Sequence, residues 1–118
     1  MAGETDRLFQ HLAGAHSAPA TRGVHASCRF EIEEGGSWNI RLDDGTVHVA
    51  KGPGEQAPAC TFRAADDDLA RILRGEQNLL TAALQGIVEV IGDLAVASRV
   101  QRLISAAIQM EEERRPAP

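Results

Sequence analysis

Residues 24–49 read VHASCRFEIEEGGSWNIRLDDGTVHV, and their alternation decides the fold. Val24, Ala26, Cys28, Phe30 and Ile32 alternate with His25, Ser27, Arg29, Glu31 and Glu33, the two-residue period of a strand with one buried face. Glu34-Gly35-Gly36 turns the chain, and Trp38, Ile40 and Leu42 then alternate with Asn39, Arg41 and Asp43 in a second strand. Asp44-Gly45 is a strong hairpin signal because both residues tolerate positive φ, and Val47 and Val49 continue a third strand.

Upstream, Leu8, Phe9, Leu12 and Ala13 fall on one side at helical spacing within residues 4–13, and Gly14 is the stop signal. Residues 14–23 contain Pro19 and Gly23 without a period and read as a loop. Downstream, Lys51 to Pro58 is a second loop, followed by Cys60, Phe62 and Ala64 alternating with Thr61 and Arg63 in a fourth strand. Asp66-Asp67-Asp68 opens a helix with Leu69, Ile72 and Leu73 on its apolar side and Gly75 at its end. Asn78 is placed to cap a short helix carrying Leu79, Leu80, Ala83 and Leu84. The run Ile87 to Ile91 predicts a fifth strand covered on both faces or nearly so. Asp93 then caps a last helix whose stripe is Val96, Val100, Leu103, Ile104, Ala107 and Ile108, with Arg99, Arg102 and Gln109 opposite. Residues 111–118 end the periodicity and are expected to fray. The order is α, four β, two short α, β and a long α, which makes an α+β chain expected to form one domain over residues 1–118.

Composition narrows the function. The 118 residues carry 12 Lys+Arg against 17 Asp+Glu, a formal net charge of -5, and the single Lys51 and the arginines are scattered. A phosphate-tracking surface needs clustered cations, so a nucleic-acid partner is disfavoured. Two cysteines make no disulfide scaffold and show no metal spacing, which suits a reducing, cytoplasmic setting. The polar start, Met1 to Asp6, lacks the apolar run of a secretory signal, and no stretch approaches membrane-spanning length. The Arg-rich, Lys-poor usage points to a GC-rich bacterial coding sequence.

Catalytic signals are weak. His11, His16, His25 and His48 lack metal-ligand spacing, and no nucleophile elbow is present. Asp66-Asp67-Asp68 reads as capping and solvation, because consecutive helical side chains diverge. Gly52-Pro53-Gly54 lacks the Lys-Ser/Thr that completes a phosphate loop. Cys28 and Cys60 fall on apolar strand faces, where they read first as small core hydrophobes and second as a redox or covalent pair. The chain is therefore expected to be no enzyme and to need no cofactor or metal. The supply of apolar helix faces reads first as core, with a cavity for a hydrophobic ligand as the other outcome.

Several segments together carry a resemblance. Gly36-Ser37-Trp38, Leu42-Asp43-Asp44-Gly45, Val49-Ala50-Lys51-Gly52, Ala59-Cys60-Thr61-Phe62, Asp68-Leu69 through Leu73-Arg74-Gly75, and Gly86 through Asp93 resemble, in order and spacing, the sterol carrier protein 2 family of non-specific lipid-transfer domains. The likeness covers residues 24–108. It implies a five-stranded mixed sheet covered on one face by helices, with an apolar tunnel between the layers that accepts sterols, fatty acids, acyl-CoA or other lipids. Candidate lining residues under this resemblance are Phe30, Trp38, Ile40, Phe62, Leu73, Leu80, Leu84, Val96, Val100 and Leu103. The mechanism implied is partition of a lipid out of water, not catalysis. The alternative is an accessory protein that mediates homodimerisation or assists a partner enzyme. Cys60 stands where this family commonly has Asp, and the ending Pro116-Ala117-Pro118 is not the peroxisomal signal of the animal carriers.

Overall fold

The computed structural model describes residues 3–12, 21–54 and 57–114, with side chains described as far as Met110. The elements run α1 (Glu4–Leu12), β1 (His25–Ile32), β2 (Ser37–Asp43), β3 (Thr46–Lys51), β4 (Cys60–Ala64), α2 (Asp66–Arg74), α3 (Leu79–Leu84), β5 (Glu89–Gly92) and α4 (Leu94–Arg114). They form one five-stranded sheet ordered β3-β2-β1-β4-β5, with helices on one face. Only the central β1–β4 pair is parallel; the other three pairs are antiparallel.

Pairing converts the sequence alternation into rows across the sheet. Trp38, Phe30, Phe62 and Val90 stand opposite one another on successive strands, and the next row is Val49, Ile40, Cys28, Cys60 and Gly92. Directly opposed residues share a face, so both rows project toward the helices. Rows on the other face are polar: Glu31, Arg63 and Glu89 lie opposite one another, with Arg63 2.9 Å from Glu31 and 3.5 Å from Glu89. One face packs and the other meets water, as an antiparallel-rich sheet allows.

Local chemistry sets the turns and caps. Asp43 pairs with Thr46, leaving Asp44 (φ 45°) and Gly45 (φ 94°) as a two-residue loop. That double positive φ matches the twist of a hairpin and settles the β2–β3 register. Asn78 Oδ1 accepts hydrogen bonds from the Leu80 and Thr81 amides and starts α3. Asp93 Oδ1 does the same for Ala95 and Val96 at the start of α4. At α2 the N-cap is Ala65, and the Asp66 amide donates instead to Glu34 Oε1 from the β1–β2 turn, 2.9 Å away.

Two expectations are corrected. Strand β5 is shorter than the apolar run and lies at the sheet edge; Val88 is buried just before it, while Ile87 and Ile91 are exposed. Helices cover one face of the sheet only, so β5 has no layer to bury its other face, and the apolar run had no way to announce what would cover it. Within α3, Leu79 and Ala82 point inward and Leu84 is 90% exposed. At 100° per residue Leu84 sits about 140° from Leu79, on the far side of a helix too short to turn back. Helix α4 extends to Arg114, past the last residue of its apolar stripe. Glu, Met and Arg are good helix formers, so the helix outlasts its packed stripe. The predicted positions of Ala13, Gly14, His16 and Pro19 lie outside the described residues.

Candidate ligand-binding site

Between the sheet and the helices lies a layer of buried apolar side chains. Phe9 of α1 stacks on Trp38, with centroids 5.0 Å apart and planes at 11°. It also meets Phe30 edge-on at 5.1 Å, and Phe30 stacks on Phe62 at 4.7 Å. Such pairs add about 0.5–1.5 kcal/mol each beyond the area they bury. Trp38 Nε1 donates to Asp6 Oδ1 at 3.2 Å, and Lys51 Nζ donates to Asp6 Oδ2 at 3.0 Å. The Lys51 hydrogen bond holds the Asp6 carboxyl below its ordinary value of 3.8; burial opposes it, and the weaker Trp38 hydrogen bond adds to it. One carboxylate therefore ties α1 to β2 and β3 over the aromatic layer.

Of the ten candidate lining residues, Phe30, Trp38, Ile40, Phe62, Val100 and Leu103 lie in this closed core. Leu80 and Val96 are half-buried at its margin, and Leu84 faces solvent. Trp38 also borders a small cavity beside Asp6 and Lys51, and Leu73, on the last turn of α2, borders a larger open one.

That cavity, about 580 Å³, is a groove where α1, the end of α2 and α4 meet. Its apolar lining is Leu8 and Leu12 from α1, Leu73 from α2, and Ala107 and Ile108 from α4. Its polar rim is Glu4, Arg7, His11, Arg74 and Glu76. Side chains three and four apart share a helix face, so α1 presents two adjoining rows, Glu4-Leu8-Leu12 and Arg7-His11. Arg74 donates to both Glu76 and Glu4. These bonds push its guanidinium further from deprotonation, Glu76 contributing most, and hold the Glu76 carboxyl below its ordinary range. Arg7 makes no ion pair among the described residues, which leaves a cation beside an aliphatic floor.

The sequence named Leu8 and Leu12 as a helix face but did not place them at a site, because the groove needs residues a hundred positions apart. The pairing of Arg7 and His11 at i,i+4 beside that face was the available signal.

Elsewhere, His25 Nδ1 lies 2.9 Å from Asp43 Oδ1 on the polar side of the sheet, and His48 is exposed. Among the described residues no group of three or more His, Cys, Asp or Glu is placed to hold a metal ion. No helix among them is long and apolar enough to cross a membrane. A second surface feature sits around α3, β5 and the start of α4, where Leu84, Leu94 (68% exposed), Ile91 (48%) and Ile87 (38%) are exposed.

Comparison with known proteins matches residues 6–105 to the SCP-2 sterol transfer family. Among curated proteins, sterol carrier protein 2 of Gallus gallus is 30% identical over 79 residues, covering 63% of this chain and 14% of that protein. The chain spans less than a quarter of the length of the curated relatives it matches. Among solved structures, the sterol carrier protein domain 2 of Helicoverpa armigera superposes with a TM-score of 0.72 at 22% identity, covering 98% of this chain and 93% of that one. The Aedes aegypti sterol carrier protein 2, solved in complex with palmitate, superposes with a TM-score of 0.69 at 22% identity, covering 90% and 98%. At these identities the superpositions establish a shared fold.

Proposed function

The chain belongs to the SCP-2 sterol transfer family, and we propose that it binds and carries a hydrophobic molecule without transforming it. The α1–α2–α4 groove carries this reading: five aliphatic side chains form its floor, and Arg7 stands at its rim without a carboxylate partner among the described residues. An acyl chain leaving water for that floor gains about 25 cal/mol per Å² of apolar area covered. A cationic rim suits an amphiphile with an anionic head, such as a fatty acid or an acyl-CoA. The palmitate bound by the mosquito relative is a ligand of this kind. Two free thiols suit a reducing compartment such as the cytoplasm.

Delipidated protein titrated with palmitate and followed by Trp38 fluorescence and thermal melting tests the proposal. Saturation with a raised Tm is expected, since ligand at 100 times Kd stabilises by about 2.7 kcal/mol. Arg7→Ala should weaken palmitate several-fold and hexadecanol hardly at all. Absence of any response to fatty acids, acyl-CoA and sterols would sink it.

The exposed quartet Leu84, Ile87, Ile91 and Leu94 favours a second reading, in which the domain docks on a second copy or a partner enzyme. Native mass spectrometry of protein from its own host separates the two readings, because it reports retained ligand and oligomeric state together.

A further inference from the structure

The central strands carry a feature that lipid carriage does not use. Cys28 and Cys60 are Cα partners across the parallel β1–β4 pair, both fully buried on the helix-facing side. Both are free, with their Sγ atoms 3.0 Å apart. Neighbouring strands run about 4.8 Å apart, inside the Cα separation that a disulfide spans, and the sulfurs need to close by only about 1 Å. We propose that Cys28 and Cys60 are a reversible dithiol site, oxidised to an intramolecular disulfide by a small peroxide and restored by thiols.

Position decides which sulfur reacts first. Cys60 opens β4, and its antiparallel partner on the outer side is Gly92, which offers no side chain to cover it. Strand β5 is a four-residue edge strand, the kind of element that opens locally at low cost, and its opening uncovers Cys60 before Cys28. The hydrogen bond shared with Cys60, and after it burial, raises the Cys28 thiol.

The chemistry balances with hydrogen peroxide as the oxidant. The Cys60 thiolate attacks one peroxide oxygen and the O–O bond breaks; the Cys60 sulfur becomes a sulfenic acid, and the departing hydroxide takes up the proton that Cys60 had released, forming water. Cys28 Sγ then attacks the Cys60 sulfur, the S–O bond breaks, and the hydroxyl leaves with the Cys28 proton as a second water. Two thiols and one peroxide give one disulfide and two waters. The two electrons pass from sulfur to oxygen.

The consequence follows from topology. β1–β4 is the one junction between the β1-β2-β3 half of the sheet and the β4-β5 half, and the two cysteines are 32 residues apart in the chain. A covalent link there closes a long loop in the unfolded chain and staples the halves in the folded one. For a chain of this size Tm should rise by about 10 °C.

The test treats the folded wild-type protein with hydrogen peroxide well below its Tm, then denatures it and alkylates with iodoacetamide. The expected result is a mass loss of two hydrogens, protection of both cysteines, a linked Cys28–Cys60 peptide, the raised Tm, and reversal by dithiothreitol. Cys28→Ser should instead trap Cys60 as sulfenic acid, detectable with a dimedone probe. Should that variant not fold, the linked peptide from wild type still decides. Full alkylation after peroxide, a disulfide that forms only in urea, or links only between chains would each overturn the proposal.

Discussion

The two ends of the sheet are finished differently. At the β3 end, α1 lies over the strands, Asp6 joins Trp38 and Lys51, and Phe9 stacks into the aromatic layer. At the β5 end the edge strand holds four residues, and Leu84, Ile87, Ile91 and Leu94 are left in solvent around it. Both ends were assembled from apolar sequence. What separates them is whether a helix arrives with a complementary face, so an apolar run by itself reports burial only when something is available to cover it.

The largest effect should come from the layer that anchors the covered end. Phe30 touches Phe9 on one side and Phe62 on the other and is fully buried. Phe30→Ala should cost about 3–5 kcal/mol by urea denaturation, from lost transfer energy plus the cavity it leaves. A loss under about 1 kcal/mol would mean that the layer collapses around the gap, and the contrast between a packed end and an open one would fail.

Next comes the backbone that seats β5. Gly92 has φ 114°, and a Cβ there would run into the Ala59 carbonyl and the Cys60 Cα. The Ala59 carbonyl also accepts from the Asp93 amide at 2.8 Å, so it is not free to move aside. Gly92→Ala combines strain with collision and should destabilise by roughly 2 kcal/mol, with the earliest loss of amide protection in β5. A uniform loss of protection would instead show that β5 does not open separately from the rest.

Much of this was legible in advance, for reasons that also mark where legibility stops. Alternation at Cys28, Phe30, Ile40 and Phe62 reports a pleated, one-sided surface, so strand positions and inward faces followed directly from it. Asp44-Gly45 is a local signal whose φ requirement is satisfied within two residues. Asn78 and Asp93 act on amides two and three positions away, and their capping was readable for the same reason. Strand order is a different kind of information. Nothing in Cys60-Thr61-Phe62 says that β4 lies parallel to β1, and only that pairing makes β5 an edge and brings Cys28 against Cys60. The groove lies further out of reach, since Leu8, Leu73 and Ile108 meet only when three helices have docked.

A smaller effect tests the tie at the covered end. Because the carboxyl of Asp6 is held below its ordinary value, the stability it contributes is fully present above pH 3.8 and disappears as pH falls through its lower folded value. Asp6→Asn should therefore cost less than about 1 kcal/mol at pH 7, as partly exposed ion pairs do, and progressively less in acid. Melting curves of both proteins from pH 7 to pH 2 should converge. A gap that widens in acid would show that the variant acts through packing rather than through the charge.

The smallest effect belongs to the open end and sharpens the comparison most. Leu84 is 90% exposed on a helix whose buried positions are Leu79 and Ala82, so its side chain contributes little to the folded monomer. Leu84→Gln replaces it with a residue of similar helix propensity and should shift stability by less than about 0.5 kcal/mol. If the surface is free in solution, the melting temperature will not depend on protein concentration in either protein. If Leu84 is buried against a partner copy, the wild-type Tm will rise with concentration, and the variant will lose that dependence while keeping the monomer's intrinsic stability. A destabilisation of 2 kcal/mol or more at every concentration would place Leu84 inside the monomer's own packing and remove the distinction between the two ends.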